Sequence, residues 1–199
     1  MARQTAISIN TIPIGPLGII GMPGCEELTD KIDQYLVKWR KTQAIEHAES
    51  IAFFGYQRDS YKIDITIPRF GSGEGKGVIN ESVRGYDIYI VCDVFNYSCT
   101  YNMYGKEVCM SPDDHFADLK RVISALCSKP KRVSVIMPML YEGRQHKRSS
   151  RESLDCAMAL KELVHLGVEN IITFDAHDQR VQNAIPDKSF ENVMPTYQM

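Results

Sequence analysis

From residue 86 onward, short apolar runs alternate with segments of helical periodicity, and that order constrains the fold more than any other feature of the chain. Tyr86 to Asp93, with Asp87-Ile88-Tyr89-Ile90-Val91 inside it, reads as a short buried strand behind Gly85. Ser111-Pro112-Asp113-Asp114 then opens a helix with a capping serine, proline at the first helical position and acids in the first turn. Phe116, Leu119, Ile123 and Leu126 give that helix a buried face, and Pro130 ends it. Val133 to Met137 is the next strand, and Ser149-x-x-Glu152 reads as a capping box opening a helix that runs to Leu166 and stops at Gly167. Val168 to Phe174 is a further strand, followed by a short helix through Val181, Ala184 and Ile185 that stops at Pro186. Strand and helix in regular alternation imply parallel strands joined by right-handed crossovers.

The amino-terminal part is less regular. Leu28, Ile32, Leu36 and Trp39 recur at helical spacing from Glu26 to Trp39, which predicts a surface helix packed by that face. A polar stretch from Lys41 to Ser50 follows, then strands at Ile51 to Phe54 and at Ile63, Ile65 and Ile67 in alternation. Asn96 to Glu107, rich in Asn, Tyr, Ser and Gly, shows no clear period and reads as a loop.

The 199 residues are enough for one large domain, or one domain with extensions, around a real core. A formal charge of -2 gives no global attraction to nucleic acid or to an anionic membrane, so any anion site must be local. Cys25, Cys92, Cys99, Cys109, Cys127 and Cys156 have none of the spacings of a structural zinc site and are expected as free thiols in a cytoplasmic protein. The apolar stretch Ile12 to Met22 carries Pro13, Pro16 and several glycines and lacks a small-residue cleavage site, so it does not read as a signal peptide. No run is long enough to span a bilayer.

Three segments could carry chemistry. The strand ending at Met137 feeds a loop in which Arg144, Lys147, Arg148 and Arg151 stand close together with His146 among them. Ligands of open α/β sheets bind outside the carboxyl ends of strands, so this loop is either a phosphate site or a solvated charge run. The tract Phe70-Gly71-Ser72-Gly73-Glu74-Gly75-Lys76-Gly77 departs from a Walker A loop at Phe70, where the first glycine belongs, and at Gly77, where the Ser or Thr belongs. It lies between strand-like segments and reads as a hairpin connection. Asp175, His177 and Asp178 at the end of a strand either hold a divalent cation or cap a helix. Nothing in the chain matches a serine-hydrolase elbow, a zinc-protease His pair or an RNA-recognition motif, and no nucleic-acid or membrane partner is expected.

Taken together, Arg69 to Gly85 (with Asn80-Glu81-Ser82-Val83-Arg84-Gly85 inside it), Met137 to Arg151, and Thr173 to Ala184 resemble ribose-phosphate pyrophosphokinase, also called phosphoribosyl pyrophosphate synthetase. The resemblance runs from about Arg69 to Pro195. It implies an α/β, parallel-sheet three-layer domain of the phosphoribosyltransferase-like type, with helices on both faces. It also implies transfer of the β,γ-diphosphoryl group of ATP to the 1-hydroxyl of ribose 5-phosphate, with magnesium, releasing AMP. By the same resemblance Phe70, Ser72, Gly73 and Glu74 form the element that lies against adenine, with Ser72 where the family has an aspartate. Arg144 and Gln145 would contact ATP, His177 with Asp175 would meet magnesium, and Ser82 and Arg84 fall where some members bind a regulatory phosphate or ADP. His146 stands where an aspartate commonly follows the Arg-Gln pair. A homo-oligomer that borrows adenine contacts across subunits is expected.

Residues 1–68 are expected as an amino-terminal extension with a first helix and strands packed on the same domain, and 69–199 as the pyrophosphokinase amino-terminal domain. The family's second domain supplies a catalytic lysine loop and paired acids followed by a Thr-Gly-Gly-Thr loop for ribose 5-phosphate. Neither occurs in this sequence, so the chain is expected to carry the ATP-side half without catalytic residues of its own. The alternative is a non-catalytic nucleotide- or phosphate-binding regulatory subunit of the same fold.

Overall fold

The computed structural model describes residues 13–46 and 57–196. Its centre is a five-stranded, all-parallel sheet of β1 (Leu17–Gly21), β4 (Asp87–Val91), β7 (Arg132–Met137), β8 (Asn170–Phe174) and β9 (Ser189–Val193), in that spatial order. Among the described residues two short antiparallel ribbons complete the strands: β2 (Ile65–Thr66) with β3 (Val78–Ile79), and β5 (Thr100–Met103) with β6 (Lys106–Cys109). The helices are α1 (Glu26–Glu46), α2 (Pro112–Ala125) and α3 (Asp155–His165), with a 3-10 helix at Gln179–Ala184.

The sheet is covered on both faces, as parallel sheets require. One core joins Ile20, Ile88, Ile90, Val133, Val135, Met137 and Ile171 to Phe116, Leu119, Val122, Ile123 and Leu126 of α2 and to Ala159, Leu160 and Leu163 of α3. On the opposite face Ile32, Leu36 and Val37 of α1 pack against Ile19 and Val91. Residues 61–63 lie beside the free edge of β1, where the Ile19 amide donates to Tyr61 O and the Ile63 amide to Ile19 O, both at 2.8 Å. The chain therefore leaves β1 toward one edge through α1, then returns over the other face through the β2–β3 ribbon to reach β4. Ile65, Ile67 and Ile79 of that ribbon pack on the α2 side of the core.

The periodicity from residue 86 onward places β4, α2, β7 and β8 where they occur. Ser111 caps α2 as expected: its hydroxyl accepts from the Asp114 amide, and Asp114 accepts in return from the Ser111 amide. Gly167, at φ +97°, closes α3.

Three sequence expectations are corrected, and one strand is added to them. First, α1 runs past Trp39 to Glu46, because the polar residues from Lys41 onward are helix formers. Its inward face also rotates off Leu28, which is 40% exposed, onto Thr29 and Asp33. Asp33 accepts from the Tyr61 amide at 2.7 Å and the Ser60 hydroxyl at 2.9 Å, so a polar anchor decides which side faces inward. Second, Asn96 to Glu107 is not a loop throughout: β5 and β6 pair through a turn at Tyr104 and Gly105, both at positive φ, the geometry of a two-residue hairpin. Third, Ser149 and Glu152 do not open α3. The Glu152 carboxylate accepts from the Ser149 amide, but the helix starts at Asp155 behind Leu154, which provides no side-chain cap. The added strand, β9, extends the sheet beyond β8, where alternation in Ser-Phe-Glu-Asn-Val is too weak to announce a strand. The strand expected at Ile51 to Phe54 lies outside the described residues, and at Ile63 to Ile67 the alternation holds but only Ile65 and Thr66 form a ladder.

Candidate functional site

The loops that leave the carboxyl ends of β4, β7 and β8 enclose a cavity of about 740 Å³ lined by Phe95, Tyr97, Met139, Tyr141, Arg144, Gln145, Asp175 and His177, with Phe174 at its edge. Two blocks that lie far apart in sequence thus meet in one place. Arg144, Gln145, Asp175 and His177 are all exposed, so their polar groups are open to solvent.

Local backbone geometry builds the cavity. After β7 the chain turns at Glu142, a non-glycine residue at φ +54°, and after β8 it turns at Asp175, at φ +47°. Such conformations cost free energy and persist where the surroundings hold them, often at ligand sites. The Gln145 amide donates to Glu142 O at 2.8 Å, which closes the first turn, and the Ala176 amide donates to Asn192 Oδ1 at 2.9 Å, which ties the second to β9. Tyr141 stacks on Phe116 at 4.2 Å between centroids, and its hydroxyl donates to Asp113 at 2.6 Å, so the loop is pinned to the first turn of α2. Burial raises the Tyr141 phenol, and the hydrogen bond to Asp113 raises it further. Burial likewise raises the Glu142 carboxyl, with Asp155 and Asp113 adding to it.

Asp178 is a helix cap. It accepts from the Arg180 amide at 2.8 Å at the start of the 3-10 helix and pairs with the Arg180 guanidinium, whose hydrogen bonds hold its carboxyl far below the usual range. Asp175 and His177 are left as the candidate metal contacts, and among the described residues no three His, Cys, Asp or Glu side chains are grouped to hold a metal. One carboxylate and one imidazole do not make a protein cage. They do suit a magnesium ion that keeps its waters and takes its other ligands from phosphate oxygens.

Phe70, Ser72, Gly73 and Glu74 do not line this cavity. They form the turn of the hairpin that joins β2 to β3, closed by the Gly73 amide donating to Phe70 O at 2.9 Å and the Phe70 amide to Glu74 O at 2.8 Å. The turn docks on the β5–β6 tip through the Tyr104 amide, which donates to Gly71 O at 2.8 Å. Phe70 is 56% exposed there, and Ser72 donates to Glu74 at 2.7 Å. Ser82 and Arg84 are exposed on the bend before β4, at the amino end of the strand and away from the cavity.

Because the chain leaves β1 and β4 over opposite faces, the crevice between them is where an open α/β sheet would first be expected to bind a ligand. Here it is stapled: the Asp93 amide donates to Cys25 Sγ and Asn96 Nδ2 to Gly24 O, each at 3.0 Å. A cavity of about 320 Å³ remains beside these bonds, lined by Pro23, Gly24, Ser98 and Cys99, and a larger one lies one strand further on. Phe95, Tyr97, Met139 and Phe174 are cavity residues that sequence reasoning missed; their position just beyond strand ends was the only signal available.

A family model described as the N-terminal domain of ribose phosphate pyrophosphokinase matches residues 17–167. Curated relatives include ribose-phosphate pyrophosphokinase of Vibrio vulnificus (strain YJ016), 26% identical over 136 residues, which are 67% of this chain and 38% of that protein. The enzyme of the same name from Pasteurella multocida is 27% identical over 122 residues, 60% of this chain and 34% of that protein. This chain therefore corresponds to little more than a third of the length of these relatives. Among solved structures, phosphoribosylpyrophosphate synthetase from Mycobacterium smegmatis superposes with a TM-score of 0.66 at 19% identity, covering 92% of this chain and 49% of that one, a likeness of fold.

Proposed function

This chain belongs to the family of the N-terminal domain of ribose phosphate pyrophosphokinase, and on that premise we propose that it forms the ATP-side half of a ribose-phosphate diphosphokinase site. The observation that carries the reading is the convergence of Arg144, Gln145, Asp175 and His177 on one cavity at the strand ends. Arg144 forks onto phosphate oxygens, since a guanidinium presents paired donors in one plane. Gln145 donates to the same chain of phosphates. Asp175 and His177 would hold a magnesium ion, which would supply neutralisation of phosphate charge. Phosphoryl-type transfer depends on this positioning and neutralisation across the whole site.

The turn Phe70–Glu74 contributes the adenine contact from a second copy of the chain, and its exclusion from the Arg144 cavity within one copy supports a homo-oligomer. Ser82 and Arg84, exposed before β4, take a regulatory phosphate. Residues 69–199 carry these elements, and the described residues 13–46 and 57–68 of the amino-terminal extension pack on the same body. Ribose 5-phosphate is bound by elements outside this chain, because the sequence has no paired acids followed by Thr-Gly-Gly-Thr.

A second reading, a nucleotide- or phosphate-binding regulatory subunit of the same fold, draws support from Ser72. Its hydroxyl donates to Glu74 where the resemblance calls for a second carboxylate, so one adenine acceptor is lost.

Calorimetric titration with magnesium-ATP tests the shared core of both readings: the chain binds, and Arg144→Ala weakens binding on the order of tenfold or more. Equal affinities for both proteins would remove the basic loop from the site. Incubation with ATP, magnesium and ribose 5-phosphate should release no AMP from the chain by itself, and robust turnover would contradict the half-site reading.

A further inference from the structure

We propose that His146 is a positioning residue: it latches the basic loop after β7 to the turn after β8 and so sets the spacing of Arg144 and Gln145 from His177. The inference rests on the nucleotide-site reading above and adds a residue to it.

Within the basic loop, His146 behaves unlike its neighbours. Arg144, Lys147 and Arg148 are exposed, whereas the His146 side chain is turned inward, with its Nε2 3.3 Å from Asp178 Oδ2. The two side chains keep only 13% and 14% of their exposed areas. A solvated charge run gives no reason for one member to turn inward. The His146 ring also meets the His177 ring edge-on, with centroids 5.1 Å apart. One imidazole therefore touches both the cap of the 3-10 helix and the candidate metal contact.

Asp178 is a firm anchor for such a latch. It already accepts from the Arg180 amide at 2.8 Å and Arg180 Nε at 3.0 Å, so its carboxylate is fixed before His146 reaches it. The loop side is less secure: the Cys156 amide donates to Gln145 O at 3.4 Å, a long bond. Nδ1 of His146 is buried with no hydrogen-bond partner among the described residues, so the imidazole is held from its Nε2 side and by ring packing. Removing the imidazole leaves Arg144 and Gln145 on a turn no longer tied to the β8 end. A displacement of about 1 Å is enough to spoil a phosphate clamp.

Hydrogen exchange on the full 199-residue chain reads the latch directly. The informative amides are Gln145, Ala176 and Arg180, which donate to Glu142 O, Asn192 Oδ1 and Asp178 Oδ1. In His146→Ala their exchange should rise several-fold while Ile90 and Val135 in the central strands stay protected. His146→Gln, whose amide N–H still reaches a carboxylate, should restore wild-type exchange. Magnesium-ATP affinity should fall on the order of tenfold in His146→Ala and recover in His146→Gln. Unchanged exchange at Ala176 and Arg180 in His146→Ala, or a glutamine variant no better than alanine, overturns the proposal. Loss of protection in the central strands as well would make His146 a general stability residue and overturns it too. A wild-type chain that takes up no magnesium-ATP overturns the nucleotide reading, while the exchange data still decide the latch.

Discussion

Arg69 donates to Asp118 at 2.6 Å, and this pair joins the β2–β3 ribbon to the middle of α2. Asp118 is 1% exposed, and its other oxygen accepts from Arg121, also at 2.6 Å. The Arg69 guanidinium lies 4.5 Å from the Tyr101 ring centroid and donates to Gly73 O at 3.1 Å. A single side chain thus holds the helix, the β5–β6 hairpin and the Phe70–Glu74 turn in one arrangement. The turn can present Phe70 and Glu74 outward because its base is fixed.

Asp118→Asn should be among the most damaging single changes in the chain. It removes a buried anion and leaves two guanidinium groups facing a neutral amide, a loss of about 3–5 kcal/mol for breaking a buried pair. Urea unfolding followed by circular dichroism measures it, and a loss near zero would show that solvent replaces the carboxylate.

Gly77→Ala should destabilise by about 1–3 kcal/mol. A Cβ at residue 77 would come within 2.7 Å of the Arg121 carbonyl carbon and oxygen, which are helix backbone and cannot move aside. Gly71→Ala is the control, since nothing lies within 4 Å of a Cβ there. The two variants should separate clearly in thermal unfolding, and equal effects would mean that the tract needs glycine for flexibility rather than for close approach to α2.

The cap of α2 makes stability depend on pH in a defined direction. Burial raises the Asp114 carboxyl, but hydrogen bonds from the Ser111 amide and hydroxyl outweigh it, and the net position is below the usual value. A carboxyl lower in the folded than in the unfolded chain contributes its full stabilisation above about pH 4 and loses it as pH falls through the folded value. Ser111→Ala should therefore cost about 1 kcal/mol at neutral pH, with the difference from wild type shrinking below about pH 4. A difference independent of pH down to unfolding would exclude the bond from the Ser111 hydroxyl to the Asp114 carboxylate.

The thiols should divide by location. Cys109 and Cys127 are exposed, whereas Cys25 and Cys156 are buried and burial pushes each thiol up to about 11. Ellman's reagent at pH 8 should label Cys109 and Cys127 promptly and reach Cys25, Cys92 and Cys156 only after unfolding. Prompt labelling of Cys25 would mean that the staple between the β1 and β4 loops opens readily.

What the sequence disclosed depended on whether the signal was local. The Ser111 cap, the buried face of α2 and the stop at Gly167 are encoded within a few residues, and each occurs where its pattern stands. The rotation of α1 onto Asp33 was hidden because its cause is the Tyr61 amide, distant in sequence. The β5–β6 hairpin was hidden because a turn at Tyr104-Gly105 lacks the usual Asn or Asp before glycine. At the candidate site, the residue types at 144, 145, 175 and 177 were legible, and their meeting in one cavity was not.

The sequence by itself determined an alternating α/β chain, its strand ends and the loops that carry polar groups beyond them, because periodicity and capping act over a few residues. Tertiary structure alone decided the order of the strands, the stapling of the β1–β4 crevice and the opening of a cavity one strand further on. It also separated the Phe70–Glu74 turn from Arg144 and turned His146 inward to Asp178. These depend on which distant groups find hydrogen-bond partners once the sheet is assembled, and no spacing along the chain records that.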